Sequence, residues 1–170
     1  MPLRIRIANI DDAISMSIIH AKSWQKAYQG LLPEEYLIGI KDDRWVNIIS
    51  RGLKDKSMKA WIASAEDKII ACACIGDSRY PTYEHQLELI SIYVLPEYWH
   101  SGAGSLLMNK VLEYALENDY QEVGLWVLTG NKQAIKFYEK FGFSNNGDTL
   151  TNTLGGTPAV EKRYIKKLAL

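Results

Sequence analysis

The segment 95–105 contains residues whose types and spacing could bind an anion, and it precedes a run with helical periodicity. Gly102 and Gly104 allow backbone conformations that other residues resist, and they let an anion approach the backbone closely. The first amides of a helix have no intrahelical acceptor, and the helix dipole favours negative charge there. Trp99 and His100 flank the two glycines. The segment therefore predicts a site for a phosphate or pyrophosphate.

Other phosphate loops fit this segment poorly. A P-loop requires Gly-Lys-Ser/Thr, but Ser-Leu-Leu follows Gly104. A dinucleotide fingerprint requires a third small residue, where this chain has Leu107, and a tight turn, whereas seven residues separate Val94 from Gly102. An ordinary helix start with a flexible turn stays open as the alternative.

The composition favours one globular domain spanning residues 1–170. The chain has 170 residues, of which 47% are hydrophobic and 24% are charged, and its formal net charge is zero. This balance disfavours disorder, and the lack of net positive charge disfavours nucleic-acid binding. We see no signal-peptide pattern and no apolar stretch of membrane-spanning length, so we expect a cytoplasmic protein without a membrane partner.

Cys72 and Cys74 lie two residues apart in an apolar run. Residues at this spacing in a strand point the same way but do not favour a disulfide. No second cysteine pair or nearby histidine set completes a zinc site, so we expect buried free thiols and no metal.

Hydrophobic periodicity predicts a mixed sheet with helices, an α/β or α+β domain. Two runs joined by a short turn predict antiparallel pairing, and a strand–helix–strand unit predicts a parallel pair by a right-handed crossover. Between Phe143 and Val160 the chain is polar and no strand is predicted. The predicted strands are Arg4–Ala8, Lys59–Ala65, Lys68–Gly76, Gln86–Leu95, Glu122–Leu128 and Val160–Ile165. The predicted helices are Asp11–Lys26, a short helix from Pro33, a helix capped by Asp42 and Asp43 with Trp45, Ile48, Ile49 and Leu53 on one side, Gly102–Glu117, and Asn131–Phe141.

Three segments in order resemble the GNAT superfamily of acyltransferases. Glu88–Tyr98 resembles its central strand and the exit from it, and Gly102-Ala103-Gly104 resembles the end of its Gln/Arg-x-x-Gly-x-Gly/Ala loop. Asn131-x-x-Ala134-x-x-Phe137-Tyr138-x-x-x-Gly142-Phe143 is similar to its following signature. The resemblance implies a single-domain, mostly antiparallel sheet flanked by helices, with central parallel strands that splay apart.

The same resemblance implies direct transfer of an acetyl group from acetyl-CoA to a primary amine of a small molecule or peptide. Pantetheine amides would pair with backbone groups of Ile92 and Val94. Trp99 stands where the family usually has Gln or Arg, and we hypothesise that His100 or Lys132 supplies positive charge there instead. The expected CoA-binding residues are Ile92, Tyr93, Val94, Trp99, His100, Ser101, Gly102, Ala103, Gly104, Ser105, Asn131, Ala134 and Tyr138.

Tyr138 matches the family's usual donor of a proton to the leaving thiolate. A phenol with a pKa near ~10 is neutral at pH 7 and can donate, and such transfer is worth ~10²–10⁴-fold in rate. The alternative is a tyrosine that only packs its helix against the sheet.

Glu88 is the candidate base for the attacking amine. It lies on the central strand six residues before Val94, so we expect both side chains to share a face. Two alternatives stay open: a carboxylate that only attracts a cationic acceptor, or a solvated strand end. Trp24, Tyr28 and Trp126 could line an acceptor pocket, since aromatic faces suit amines, or could be ordinary core residues.

Two other functions compete with acetyl transfer. A non-catalytic acyl-CoA-binding sensor or regulatory module is favoured slightly by Trp99, and a nucleotide-binding enzyme is disfavoured by the loop comparison above. Beyond the amine acceptor, we expect no nucleic-acid partner. A homodimer is compatible with the resemblance.

Overall fold

A computed structural model describes residues 1–169, which form a seven-stranded sheet in the order β1-β2-β3-β4-β5-β7-β6. The strands are β1 (Leu3–Ile7), β2 (Lys59–Ala65), β3 (Lys68–Asp77), β4 (Leu87–Val94), β5 (Glu122–Leu128), β6 (Ser144–Leu154) and β7 (Thr157–Lys167). The helices are α1 (Ala13–Ala27), α2 (Glu34–Ile38), α3 (Val46–Asp55), α4 (Ala103–Glu117) and α5 (Lys132–Lys140). The predicted mixed sheet flanked by helices is confirmed.

Helices α1 and α4 cover opposite faces of the sheet. In α1, His20 lies 3.8 Å from Sγ of Cys72. In α4, Tyr114 packs against Trp61 with ring centroids 5.6 Å apart, and Trp61 pairs with Ala73 of β3. Because neighbouring residues of a strand point to opposite faces, the two contacts identify two separate layers.

Apolar side chains of α1 and α4 form the two layers of the core. Met16 and Ile19 of α1, and Leu107, Met108 and Val111 of α4, are at most 1% exposed. Their spacing is the three- and four-residue repeat of a helix that buries one side. Burial of such side chains stabilises the fold by about 1.5–3 kcal/mol each. The core therefore holds β4 between two packed helices.

The parallel strands β4 and β5 separate soon after they meet. They pair at Leu87 with Val123 and at Glu88 with Gly124, and no further pairs between them occur within residues 1–169. Beyond Glu88, the side of β4 that faces β5 has no partner strand. The splay implied by the family resemblance is therefore present, and it leaves backbone groups of β4 free to pair with something else.

A bulge in β4 changes which face Glu88 occupies. Cys74 pairs with Ser91 and the next residue, Ile75, pairs with Leu89, so Ile90 is an extra, unpaired residue. The extra residue shifts the alternation of side chains by one. The expectation that Glu88 shares a face with Val94 was therefore wrong: Glu88 faces the α1 side.

The carboxyl-terminal part differs from the prediction. Instead of one strand over 160–165, two long strands form a hairpin through Gly155 and Gly156, which both have positive φ. Strand β6 was missed because its sequence is polar and its residues are mostly exposed, as suits an edge strand.

In α3, Ile49 is 2% exposed but Ile48 is 51% exposed, so the predicted apolar side of this helix is narrower than expected.

Cys72 and Cys74 are both buried and free, as predicted. Among residues 1–169, no helix is both long and apolar enough to cross a membrane.

Candidate active site

A cavity of about 600 Å³ lies where β4 and β5 diverge. Its walls come from β4, from the segment 98–105, from α5 and from one side of α1. All thirteen expected CoA-binding residues line this cavity. They are Ile92, Tyr93, Val94, Trp99, His100, Ser101, Gly102, Ala103, Gly104, Ser105, Asn131, Ala134 and Tyr138.

The free edge of β4 presents backbone groups to this cavity. The amide of Leu95 donates to the Ile70 carbonyl at 2.8 Å, so the polar groups of Leu95 face β3. Backbone groups of alternate residues in a strand face opposite sides. Those of Ile92 and Val94 therefore face the gap left by β5, which is the arrangement that the resemblance implies for pantetheine pairing.

Trp99 contacts this edge directly. Its Nε1–H donates to the Val94 carbonyl at 2.9 Å, and the Ser23 hydroxyl donates to the same oxygen at 3.1 Å. Both lone pairs of that carbonyl are therefore used within the chain. The residue that departs from the family pattern orders the end of β4, and the Val94 amide remains as the group available there.

The start of α4 has the geometry of an anion site. Gly102 has φ of 91° and precedes the first residue of α4, a left-handed conformation that favours glycine. His100 also has positive φ, at 64°. The Ala103 amide donates to the Ser101 hydroxyl at 3.3 Å. The next amides, those of Gly104 and Ser105, have no acceptor within the helix and can donate to a phosphate.

Helix α5 supplies the positive charge near the cavity. Lys136 and Lys140 line it, whereas Lys132, suggested from sequence, does not. The two lysines are four residues apart and so share one side of the helix. Asn131 caps α5 by accepting the Ala134 amide at 3.3 Å, so its side-chain oxygen is committed to the helix.

Tyr138 lies in the wall of the same cavity, as does Phe137. Burial raises the pKa of the Tyr138 phenol, and the nearby Tyr28 phenol adds to this effect. A raised pKa keeps the phenol protonated at neutral pH, which is the state that a proton donor needs.

A second cavity, of about 140 Å³, adjoins the first. Tyr28, Leu89, Ile90, Tyr93 and Trp126 line both. The residues suggested for the acceptor, Trp24, Tyr28, Glu88 and Trp126, all line the smaller cavity. The structure therefore places the two predicted groups of residues in adjacent spaces that share a wall.

The smaller cavity holds three charged side chains. Glu88 is 4% exposed and accepts from Arg79, with 2.7 Å between Oε2 and Nε and 3.3 Å between Oε1 and Nη2. Glu161 of β7 lies in the same wall. Burial raises the pKa of Glu161, while the Asn152 amide and Arg79 oppose that rise. Glu88 is thus not a solvated strand end, and the three side chains together carry one net negative charge.

Sequence reasoning missed Arg79, Tyr80 and Glu161. Arg79 and Tyr80 belong to the segment 78–86, whose polar sequence has no periodicity. Glu161 lies in the run 160–165, which was predicted as a strand, but nothing in that run indicated which side chains face a site. Glu161 pairs with Leu128 of β5, and only this register of the two strands brings Glu161 to the cavity.

Aromatic hydroxyl groups connect the two cavities. The Trp24 indole donates to the Tyr93 hydroxyl at 3.0 Å, and the Tyr28 and Tyr93 hydroxyls are 3.5 Å apart. Trp126 packs against Tyr80, with ring centroids 5.5 Å apart. These contacts hold the aromatic rings around the smaller cavity in defined orientations.

His20 lies beneath this site and is buried. Its Nδ1–H donates to the Met16 carbonyl at 2.8 Å, so Nε2 accepts from the Ser91 hydroxyl at 3.1 Å. Burial lowers the pKa of His20 to about 4. The ring is therefore neutral at pH 7 and ties α1 to the central strand. Across residues 1–169, no group of His, Cys, Asp and Glu side chains is arranged to hold a metal ion.

Comparisons with known proteins agree with this geometry. A profile of the acetyltransferase (GNAT) family matches residues 19–143. An uncharacterized N-acetyltransferase of Archaeoglobus fulgidus is 33% identical over 143 residues, covering 80% of this chain and 89% of the relative. A spermidine N(1)-acetyltransferase of Thermoplasma acidophilum is 25% identical, covering 96% of this chain and 99% of that protein.

The fold has close structural counterparts. The PaiA N-acetyltransferase of Thermoplasma acidophilum, solved in complex with coenzyme A, superposes with a TM-score of 0.76 at 22% identity, covering 99% of this chain and 100% of that structure. The predictions of family and of enzyme class are confirmed, and the chain belongs to the GNAT family of N-acetyltransferases.

Proposed function

We propose that this protein transfers the acetyl group of acetyl-CoA directly to a primary amine of a small molecule or peptide. The observation that carries the proposal is the junction of the two cavities at Tyr28, Tyr93 and Trp126. A donor in the larger cavity and an acceptor in the smaller one would meet at this junction, which fits direct transfer.

The donor side suits a CoA thioester. The amides at the start of α4 provide unpaired donors for the pyrophosphate, and Lys136 and Lys140 add positive charge. The free edge of β4 provides backbone partners for pantetheine. An amide on this edge could also stabilise the thioester oxygen as it gains charge.

Tyr138 is the proposed acid of this reaction. The thiolate must receive a proton as it leaves, and the neutral phenol of Tyr138 can supply it.

The acceptor side suits a cation attached to an apolar group. Aromatic rings provide faces that attract ammonium groups, and the net negative charge of the Glu88, Arg79 and Glu161 cluster favours a cation further. A cavity of about 140 Å³ admits an alkyl amine but encloses little more. Larger acceptors would therefore insert only their amino end.

The activity of one relative suggests which acceptor to test first. The relative from Thermoplasma acidophilum is described as a spermidine N(1)-acetyltransferase. Spermidine carries primary amines on alkyl chains, which is the chemistry that this cavity favours. We therefore place spermidine first in a panel that also contains 1,4-diaminobutane, free lysine and peptides with an unblocked amino terminus.

Thiol release from acetyl-CoA with this panel tests the function, with mass spectrometry of the acetylated product. Wild-type protein should release thiol with at least one amine. The Tyr138→Phe variant should lose ~10²–10⁴-fold in kcat, while its affinity for acetyl-CoA should not change. Equal turnover by wild type and Tyr138→Phe would contradict the role of Tyr138.

The alternative function is an acyl-CoA sensor, and one observation favours it. Trp99 uses one acceptor position of the β4 edge that pantetheine could otherwise use. A sensor would bind acetyl-CoA tightly and release no thiol with any amine. That result would exclude the transferase activity and leave binding as the function of the larger cavity.

A further inference from the structure

Glu88 is poorly placed to accept a proton, although it lies in the acceptor cavity. Both of its carboxylate oxygens accept from Arg79, and the side chain is 4% exposed. The geometry therefore suits a fixed ion pair that shapes the wall of the cavity.

Glu161 faces the same cavity with one oxygen available. Its Oε2 accepts from the Asn152 side-chain amide at 2.9 Å. Within residues 1–169, no side chain or backbone group donates to its Oε1. The side chain is half-buried, so an acceptor in the cavity can reach it and a proton can leave it to solvent.

The surroundings of Glu161 favour proton uptake more than an exposed position would. Arg79 and Glu88 approach it from the segment before β4 and from β4, and Asn152 approaches from β6. The charge of Glu161 also raises the pKa values of Tyr28, which follows α1, and of Tyr80. Burial and the charge of Glu88 raise the pKa of Glu161, against the opposing effects of Asn152 and Arg79. A carboxylate whose pKa is raised is a stronger base than an exposed one.

We propose that Glu161 is the base that takes the proton from the acceptor's ammonium, and that Glu88 with Arg79 positions the acceptor. This assignment rests on the proposed function. It places the base on β7, which is separated from the central strand β4 by β5. Glu161 on β7 and Glu88 on β4 both line the smaller cavity.

The Glu161 carboxylate takes one proton from the ammonium, and the freed nitrogen lone pair forms a bond to the thioester carbonyl carbon. The carbon–sulfur bond breaks with its electrons on sulfur, and Tyr138 protonates the thiolate. The new amide nitrogen then gives its surplus proton to the Tyr138 phenolate, and Glu161 releases its proton to solvent. Ammonium and acetyl-CoA thus become amide, free thiol and one proton.

The test compares Glu161→Gln with Glu88→Gln over pH 6 to 10, using the panel amine with the highest kcat/KM. Glu161→Gln should lower kcat by ~10²-fold at pH 7 and leave the KM for acetyl-CoA unchanged. The loss should shrink toward pH ~10, where a substantial fraction of the amine is already neutral. Glu88→Gln should mainly raise the KM for the amine. Glu113→Gln is the matched control, because Glu113 is an exposed carboxylate on α4.

A second variant separates chemistry from folding. Glu161→Ala should recover activity when formate is added, because a small carboxylate can occupy the vacated space and accept the proton. Protection by CoA against heat shows that the variants are folded. If wild type is active and Glu161→Gln does not change its rate, the assignment of the base is wrong but the proposed function stands. The same holds if Glu88→Gln, instead of Glu161→Gln, causes the large pH-dependent loss. A wild type that releases no thiol with any amine overturns both the assignment and the proposed function.

Discussion

Acidification should destabilise this protein through His20, because the folded state holds this ring neutral. Burial lowers the pKa of His20 to about 4, and both ring nitrogens are used by Met16 and Ser91. In the unfolded chain, a histidine has a pKa of ~6.5. The unfolded state therefore binds the proton first as the pH falls, and stability is lost between pH ~6.5 and ~4.

The size of the loss follows from the two pKa values. At pH 5, protonation of His20 in the unfolded chain lowers the free energy of unfolding by about 2 kcal/mol, whereas at pH 7 it lowers it by only about 0.2 kcal/mol. A change of roughly 2 kcal/mol is a large part of the stability of a domain of this size.

Urea unfolding at pH 7 and pH 5, followed by tryptophan fluorescence, measures this loss in wild type and in His20→Gln. Glutamine does not titrate, and it has the reach to hydrogen-bond with Ser91. The variant is less stable at pH 7 because it packs less well, but it should lose about 2 kcal/mol less than wild type between the two pH values. Other titrating groups are common to both proteins and cancel. Equal losses in both would refute the assignment of a neutral, buried His20.

Three further experiments test other parts of the structure. Trp99→Phe removes one donor to the last carbonyl of β4 and should lower the free energy of unfolding by about 0.5–1.5 kcal/mol in urea titrations. The Lys136→Ala/Lys140→Ala double variant should weaken CoA binding roughly three- to tenfold, measured by calorimetry, and the difference from wild type should be smaller at high salt. Lys132→Ala should leave CoA binding unchanged, because Lys132 does not line the cavity. Gly124→Ala should lower the free energy of unfolding by about 1–3 kcal/mol, because a Cβ there would lie 2.9 Å from Cζ of the buried Arg163. The urea midpoint should fall, and an unchanged midpoint would contradict this packing.

The donor side of the site could be predicted from sequence because its signals are local. Gly102 and Gly104 are two residues apart in the chain, and the amides that they expose belong to the same segment. The motif from Asn131 to Tyr138 is a single helix with its cap. Geometry that depends only on neighbouring residues can be predicted from the order of residue types.

The acceptor side could be predicted only in part, because several residues of the smaller cavity come together only through long-range pairing. Glu161 reaches the cavity only through the pairing of β7 with β5, and Arg79 comes from a segment without periodicity. The bulge at Ile90 reverses the face of Glu88, and no residue type in that apolar run marks it. Strand β6 is polar and mostly exposed, so its pairing with β7 leaves no hydrophobic alternation to read.

The separation of β4 from β5 has a mechanical consequence. The sheet consists of two parts, one formed by β1 to β4 and the other by β5, β7 and β6. Two residue pairs at one end join them along the sheet. A molecule that pairs with the open edge of β4 and contacts α5 would bridge the two parts at the other end. A bound co-substrate would thus connect the two parts of the sheet at the end where the strands themselves do not pair.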